Sequence, residues 1–177
     1  MEILLLKIKR KLNRFIKGSE FVAMNDTVAL ARAMGVKVGK RCRIYSTNFS
    51  SEPYLISIGD HVTITDNVQF ITHDGAVWVF REVHPNLDLF GEIKIGNNIF
   101  IGLNTILLPG TEIGDNVIIA AGSVLKGVYP ANSVIAGVPG KIISTIEEYY
   151  QKNSEKFVAL KGVIGTDRER KIKQLFR

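Results

Sequence analysis

The sequence predicts an all-β solenoid, a parallel β-helix built from hexapeptides, and three observations carry that prediction. Between Ile95 and Leu125 a large aliphatic residue recurs every six positions, at Ile95, Ile101, Leu107, Ile113, Ile119 and Leu125. The position after it is often small, as at Gly96, Gly102, Gly114 and Ala120, and the fifth position is Ile99, Thr105, Thr111, Val117 or Ser123. A period of six matches neither the 3.6 of a helix nor the 2 of a continuous strand. It matches short strands separated by turns, with one aliphatic pointing inward per strand and a small residue where the chain changes direction. A single unit cannot bury its own apolar face, so successive units must stack on one another.

The elements follow in order. Residues 1–17 place Leu5, Ile8, Leu12, Phe15 and Ile16 at helical spacing with basic residues in the gaps, which predicts an amphipathic basic helix. A second helix is expected over 26–34, with Asn25 or Asp26 as its N-cap; together these make a helical segment over 1–35. Coils are expected over 36–143. Val38-Gly39 opens one hexapeptide and Ile44 another. The eight residues Ser50 to Ser57 then predict a small bulge around Pro53, and Ile58, Ile64 and Phe70 restore the register. Residues 75–94 break the repeat and hold the single tryptophan, Trp78, and a long non-repeating loop in a compact domain is more often functional than idle. A second break is expected at Tyr129-Pro130, with Ile135 to Lys141 closing the last coil. Residues 144–177 form a helical tail, with helices over 145–161 and 167–176 that cover the open end of the solenoid, where a strand edge would otherwise stand unpaired.

The repeats resemble those of the hexapeptide-repeat acyltransferases, and the stretch from Val36 to Ile146 is most similar to the branch of maltose, galactoside and xenobiotic O-acetyltransferases. That resemblance implies a left-handed β-helix with three faces per coil, a homotrimer with active sites at subunit boundaries, and acetyl-coenzyme A (acetyl-CoA) as co-substrate. It also implies a role for His73, in Phe70-Ile-Thr-His-Asp74, because a Thr-His pair where the last regular strand meets the long loop supplies that branch's catalytic base. The chemistry agrees: an imidazole near neutrality can take the proton of a hydroxyl as its oxygen attacks a thioester. The base needs its second ring nitrogen held by an acceptor. Asp74 and Asp66 are near in sequence and a backbone carbonyl would serve, so the orienting group stays open.

For the cofactor, the resemblance points to Phe100, which stands where the branch has tryptophan, to the small residues Gly102, Ala120, Ala121 and Gly122, and to Lys126 and Lys141 beside the nucleotide phosphates. A backbone amide near Gly102 would stabilise the oxyanion. Asp74, Trp78 and His84 are the candidate acceptor contacts.

Other residue types exclude competing functions. The three histidines, His61, His73 and His84, lie 12 and 11 positions apart, which does not place them on one face of neighbouring coils as zinc would demand, so no metal is expected. His61 reads as a solvated turn residue. The single cysteine, Cys42, falls on a fifth position and reads as core, and one cysteine provides no disulfide framework. The net charge of +6 is concentrated at the ends, +5 over residues 1–18 and +3 over 147–177, leaving the repeat region at −2. No nucleic-acid partner is therefore expected. No apolar run reaches the ~18–20 residues of a membrane span and no signal-like cleavage site is found, which predicts a cytoplasmic protein. The basic N-terminal helix has two open roles, packing on protein or a peripheral contact with the inner face of an anionic membrane.

The predicted activity is an acetyl-CoA-dependent O-acetyltransferase acting on a sugar or surface-polysaccharide hydroxyl. An N-acyltransferase on an amino sugar and a non-catalytic hexapeptide scaffold are the alternatives.

Overall fold

At nearly every corner of the solenoid one residue turns left-handed, and that residue follows the inward aliphatic by three. His61, Asn67, Asn98, Asn104 and Asn116 have φ between 55 and 57°, and Gly110 and Gly122 take the same place at 82 and 72°. Asparagine is tolerated there because its short polar side chain bonds locally, and glycine because it has no Cβ. Each corner ends a strand after two or three residues and sends the next in a new direction.

The computed structural model describes residues 20–176. Helix α1 (Glu20–Ala33) leads into a series of short strands: β1 (Lys37–Val38), β2 (Arg43–Ile44), β3 (Ile56–Ile58), β4 (Val62–Ile64), β5 (Gln69–Phe70), β6 (Ile93–Ile95), β7 (Ile99–Ile101) and β8 (Ile106–Leu107). There follow β9 (Glu112–Ile113), β10 (Val117–Ile119), β11 (Val124–Leu125), β12 (Val128–Tyr129), β13 (Ser133–Ala136) and β14 (Lys141–Thr145), then α2 (Ile146–Asn153) and α3 (Gly165–Gln174). Among the described residues the strands form three sheets, ordered β1-β3-β6-β9-β12, β14-β13-β10-β7-β4-β2 and β11-β8-β5. Every pairing is parallel except that of β13 with β14. From β3 onward third neighbours in sequence pair in parallel, so each of these coils contributes one strand to each sheet and the architecture is a three-faced parallel solenoid.

Register turns the hexapeptide pattern into columns. Ile64, Ile101, Ile119 and Ile135 stack in one sheet beneath Ile44, and all five are fully buried. Val38, Ile58, Ile95, Ile113 and Tyr129 form a second column, and Phe70, Leu107 and Leu125 a third. Fifth positions fill the space between columns. Where they carry hydroxyls these are satisfied three residues back: Thr105 donates to the Gly102 carbonyl at 2.7 Å, Thr111 to Leu108 at 2.7 Å and Ser123 to Ala120 at 2.7 Å. A buried hydroxyl without such a partner would cost ~1–3 kcal/mol. Cys42 is buried, its Sγ 3.2 Å from the Gly59 carbonyl, as its place in the repeat requires.

The small residue of each unit is set by coil spacing. A Cβ on Gly59 would lie 2.5 Å from the Gly96 carbonyl oxygen, and one on Gly102 would lie 2.4 Å from the Ala121 nitrogen. The exposed corners are tied by a side-chain ladder: His61 Nδ1 donates to Asn98 Oδ1 at 2.8 Å, Asn98 to Asn116 at 2.9 Å and Asn116 to Asn132 at 3.0 Å. His61 is thus the first rung of an asparagine ladder, where the sequence suggested only a solvated residue.

Four features depart from sequence expectation. Helix α1 already runs from Glu20 among the described residues, so Asn25 and Asp26 lie within it and not at its N-terminus; its C-terminal part buries Leu30 and Ala31 on the first coil. The late register break falls before Tyr129: four steps separate Leu125 from Tyr129 where six separate Leu107 from Ile113, and Gly127, at φ 92°, makes the shortened corner. Ile135 to Lys141 does not close a coil. The chain reverses through 137–140 and β14 runs back antiparallel along β13, so the last edge is covered by a strand and not by helices. Helix α2 begins at a capping box, with Thr145 and Glu148 side chains each accepting from the other's backbone N–H, and it ends at Asn153, well short of 161. The basic helix expected over 1–17 lies outside the described residues.

Replacing Ile101 by alanine should destabilise the fold by ~2–5 kcal/mol, because the residue is fully buried between Ile64 and Ile119 and rigid columns close poorly over a cavity. Its neighbour Phe100→Ala, on the exposed side of the same strand, should cost far less. Urea denaturation of the two variants beside the unaltered chain checks both.

Candidate active site

The site is assembled where the solenoid is least regular. Successive coils are 18 residues apart, as for Ile95 and Ile113, but 20 residues separate Val38 from Ile58 and 37 separate Ile58 from Ile95. The first excess is the segment after Phe49, which contains a 3-10 turn at Pro53–Leu55. The second is the long loop. Both excesses meet at Thr72 and His73.

Thr72 and His73 lie two and three residues past the end of β5, and the returning loop pins them. The Gly91 N–H donates to the Thr72 carbonyl at 2.8 Å, the Asp74 N–H to the Leu89 carbonyl at 2.8 Å, and His73 and Phe90 form an antiparallel bridge. The Phe90 ring meets the imidazole edge-on, with centroids 6.4 Å apart. From the other side comes Glu52. Its Oε2 accepts from His73 Nδ1 at 3.0 Å and from the Thr72 hydroxyl at 2.7 Å, while the Thr72 N–H donates to Ser50 Oγ at 3.3 Å. Thr72 is fully buried, the Glu52 side chain is 16% exposed and that of His73 44%. The hydrogen bond from Thr72, then that from His73, holds the Glu52 carboxyl below its ordinary value of 4.5, against a smaller opposing effect of burial. With a carboxylate on Nδ1, that nitrogen carries the proton and Nε2 keeps its lone pair.

His73 opens on a cleft of about 440 Å³ lined by Glu52, Asp74, Trp78, Arg81, Asp88 and Phe90 among others. Two of the three predicted acceptor residues are there. Trp78 is 73% exposed, a bare aromatic plate with the Arg81 guanidinium 5.9 Å from its ring. Arg81 in turn is paired with Asp88 at 2.8 Å. Asp74 is engaged locally, its carboxylate capping the 3-10 turn Gly75–Phe80 by accepting from the Ala76 N–H at 2.9 Å. His84 is exposed and does not line the cleft.

Sequence reasoning missed Glu52, Arg81 and Asp88. A signal for Glu52 existed: it is the one acid in the irregular stretch Ser50 to Ser57.

The predicted cofactor residues do not share this cleft. Phe100 and Ala120 line a second one, of about 540 Å³, between the β7-β10-β13 face and α2, together with Ile143, Tyr149 and Lys152. The Gly102 N–H donates to the Ile119 carbonyl at 2.8 Å, so it cannot serve as an oxyanion donor without breaking the ladder. Gly122 is a left-handed corner whose N–H donates to the Leu103 carbonyl at 2.7 Å. Ala121 is exposed, as are Lys126, on the shortened corner, and Lys141, at the start of β14. Among the described residues no group of three or more His, Cys, Asp or Glu side chains is placed to hold a metal ion, and no helix is long and apolar enough to cross a membrane.

Residues 92–127 match the model of the bacterial transferase hexapeptide family, six repeats that correspond to the run from β6 through β11. Protein CapG of Staphylococcus aureus is 54% identical over 124 residues, 68% of this chain and 72% of CapG. The chain belongs to the hexapeptide-repeat acyltransferase family. Within that family the alignment extends to the putative lipopolysaccharide biosynthesis O-acetyl transferase WbbJ of Escherichia coli, 33% identical over 75% of this acyltransferase and 64% of WbbJ. The crystal structure of a galactoside acetyltransferase in complex with coenzyme A superimposes with a TM-score of 0.59 at 26% identity, over 84% of each chain. The acyltransferase repeats recognised by the family model lie wholly outside the Glu52–Thr72–His73 cluster, which precedes them in the chain.

A depressed carboxylate stabilises the fold above its ordinary pKa and loses that contribution as pH falls through the lowered folded-state value. The thermal-midpoint advantage of the unaltered acyltransferase over Glu52→Gln should therefore shrink below about pH 4.5, as melts in a series of buffers will show.

Proposed function

We propose that this acyltransferase is an acetyl-CoA-dependent O-acetyltransferase acting on a sugar or surface-polysaccharide hydroxyl, with His73 as general base. The observation that carries this reading is the imidazole at the mouth of the cleft, its Nδ1 bound to a carboxylate and its Nε2 therefore free to accept a proton. A saccharide ring laid on the exposed face of Trp78 would bury its C–H face there and turn hydroxyls toward His73. Removal of the hydroxyl proton as the oxygen attacks is a task for a positioned imidazole with a free ring-nitrogen lone pair. The relatives point the same way: WbbJ is described as a putative O-acetyl transferase of lipopolysaccharide biosynthesis, and the galactoside enzyme was solved with coenzyme A.

Acetyl-CoA would supply the acyl group as a thioester. The second cleft suits its long arm, since Phe100, Ile118 and Ala120 give an apolar floor and Lys152 a cation. Lys126 and Lys141 are our candidates for its phosphates. The acceptor residues and the donor residues line separate clefts of one chain, and we infer that they meet across subunits of a homotrimer of left-handed β-helices. We place the enzyme in the cytoplasm, where acetyl-CoA is made, and assign residues 1–17 to packing or to the inner face of the membrane.

His73→Ala should reduce turnover by ~10²–10⁴-fold, the usual worth of a positioned base, while calorimetry shows acetyl-CoA binding unchanged. Undiminished turnover would remove His73 from the mechanism. Trp78→Ala should raise KM for a saccharide acceptor by about tenfold, the ~1.4 kcal/mol of a lost aromatic platform, and leave KM for acetyl-CoA alone. A panel that pairs hydroxyl with amino-sugar acceptors separates O- from N-transfer.

A further inference from the structure

We infer that Glu52 is the positioning residue of this enzyme: it selects the tautomer of His73 and stabilises the imidazolium formed when the acceptor's proton is taken. The inference rests on His73 acting as base, but its evidence is separate and lies in the coil before. Ser50 turns left-handed, with φ 58°, and Pro53 opens the 3-10 turn, so the two residues by which this coil exceeds 18 are spent bringing Glu52 over Thr72, two residues past the end of β5. Three hydrogen bonds lock the segment to the catalytic strand: Ser50 Oγ accepts the Thr72 N–H, and Glu52 Oε2 accepts both the Thr72 hydroxyl and His73 Nδ1–H.

Sharing one oxygen between two donors gives the geometry its purpose. Thr72 is fully buried and held in the backbone ladder, so its hydroxyl is a fixed point that prevents the carboxylate from swinging away from His73. A carboxylate fixed in this way is an acceptor only, so Nδ1 must donate and Nε2 must face the cleft unprotonated. As the base takes up the acceptor's proton on Nε2, the ring gains a positive charge 3.0 Å from a negative one in a partly desolvated place. The charges facing the imidazole from the other packed elements are Asp74 beside it, engaged by the Ala76 N–H, and the Arg81–Asp88 pair across the cleft, which compensate each other. Glu52 is thus the carboxylate in direct contact with the ring.

The test compares Glu52→Gln, Glu52→Ala and Thr72→Val with the unaltered full chain, using acetyl-CoA and an acceptor found by the panel. Glu52→Gln, which keeps the shape and loses the charge, should lower kcat by ~10–100-fold with both KM values within about twofold, and should move the acid limb of the kcat/KM profile to lower pH. Thr72→Val keeps the carboxylate and should lower kcat less. A purely structural role for Glu52 would lower the melting midpoint while leaving the limb where it was, and that outcome overturns the proposal. Proton–nitrogen correlation spectra of the unaltered enzyme at a pH where the ring is neutral, with His73 assigned by difference from His73→Ala, should show Nδ1 protonated. The opposite tautomer overturns the proposal even if the variants fail to fold. Should His73→Ala retain turnover, the general-base reading falls; should it lose turnover while Glu52→Gln keeps both rate and profile, only the role of Glu52 falls.

Discussion

Everything in this molecule depends on one pairing: each strand gives its backbone hydrogen bonds to the strand one coil above and one coil below. Among the described residues no strand exceeds five residues, and a lone strand of that length would have no stability in water. Parallel stacking in register removes the difficulty, because each coil supplies the missing partner of the next, and side chains of one type fall into continuous columns. The demands on sequence follow directly. Inward positions must be aliphatic, corner positions must tolerate a left-handed backbone, and the residue beside each corner must be small where a Cβ would strike the next coil.

Such regularity makes each irregularity conspicuous, and the catalytic machinery is where the irregularities lie. A perfect solenoid offers identical faces and no concavity. Two additional residues in one coil bring up Glu52, and nineteen in the next produce the loop that carries Trp78 and Arg81 over His73. The regular coils between β6 and β11 serve as a rigid frame that holds these departures at fixed distances. Thr72 belongs to both worlds, since its carbonyl accepts from the Gly91 backbone N–H while its amide donates to the Ser50 side chain and its hydroxyl to Glu52.

The frame was legible in the sequence because its physics is periodic. Ile101, Thr105 and Gly102 each announce a burial, a local hydrogen bond and a close approach by position alone. His73 was legible only with the help of family resemblance. Glu52 was not, because its partner lies 21 residues away and the path between them depends on the shape of a bulge that no period describes. His61 is the exposed turn residue the sequence suggested, but its place in the ladder was hidden for a related reason: its neighbour there, Asn98, is 37 residues on, across the inserted loop. The misplacement of the final corner and the unforeseen β14 arise alike from local turn chemistry around Gly127 and Gly137, whose positive φ values override the hexapeptide count.

The reversal of β14 has a consequence for lineage and assembly. A stack of coils is an open polymer in principle, since its terminal edge repeats the edge that bound the previous turn and would accept another copy end to end as a fibril does. By folding back antiparallel, β14 presents a next edge whose direction and side-chain order no incoming coil can continue. Growth stops within one molecule. Between that terminator and the coils that carry the site, the regular turns of eighteen residues are like parts, so chains of this design can lengthen or shorten by duplication of such a turn without exposing a sticky end in that sheet.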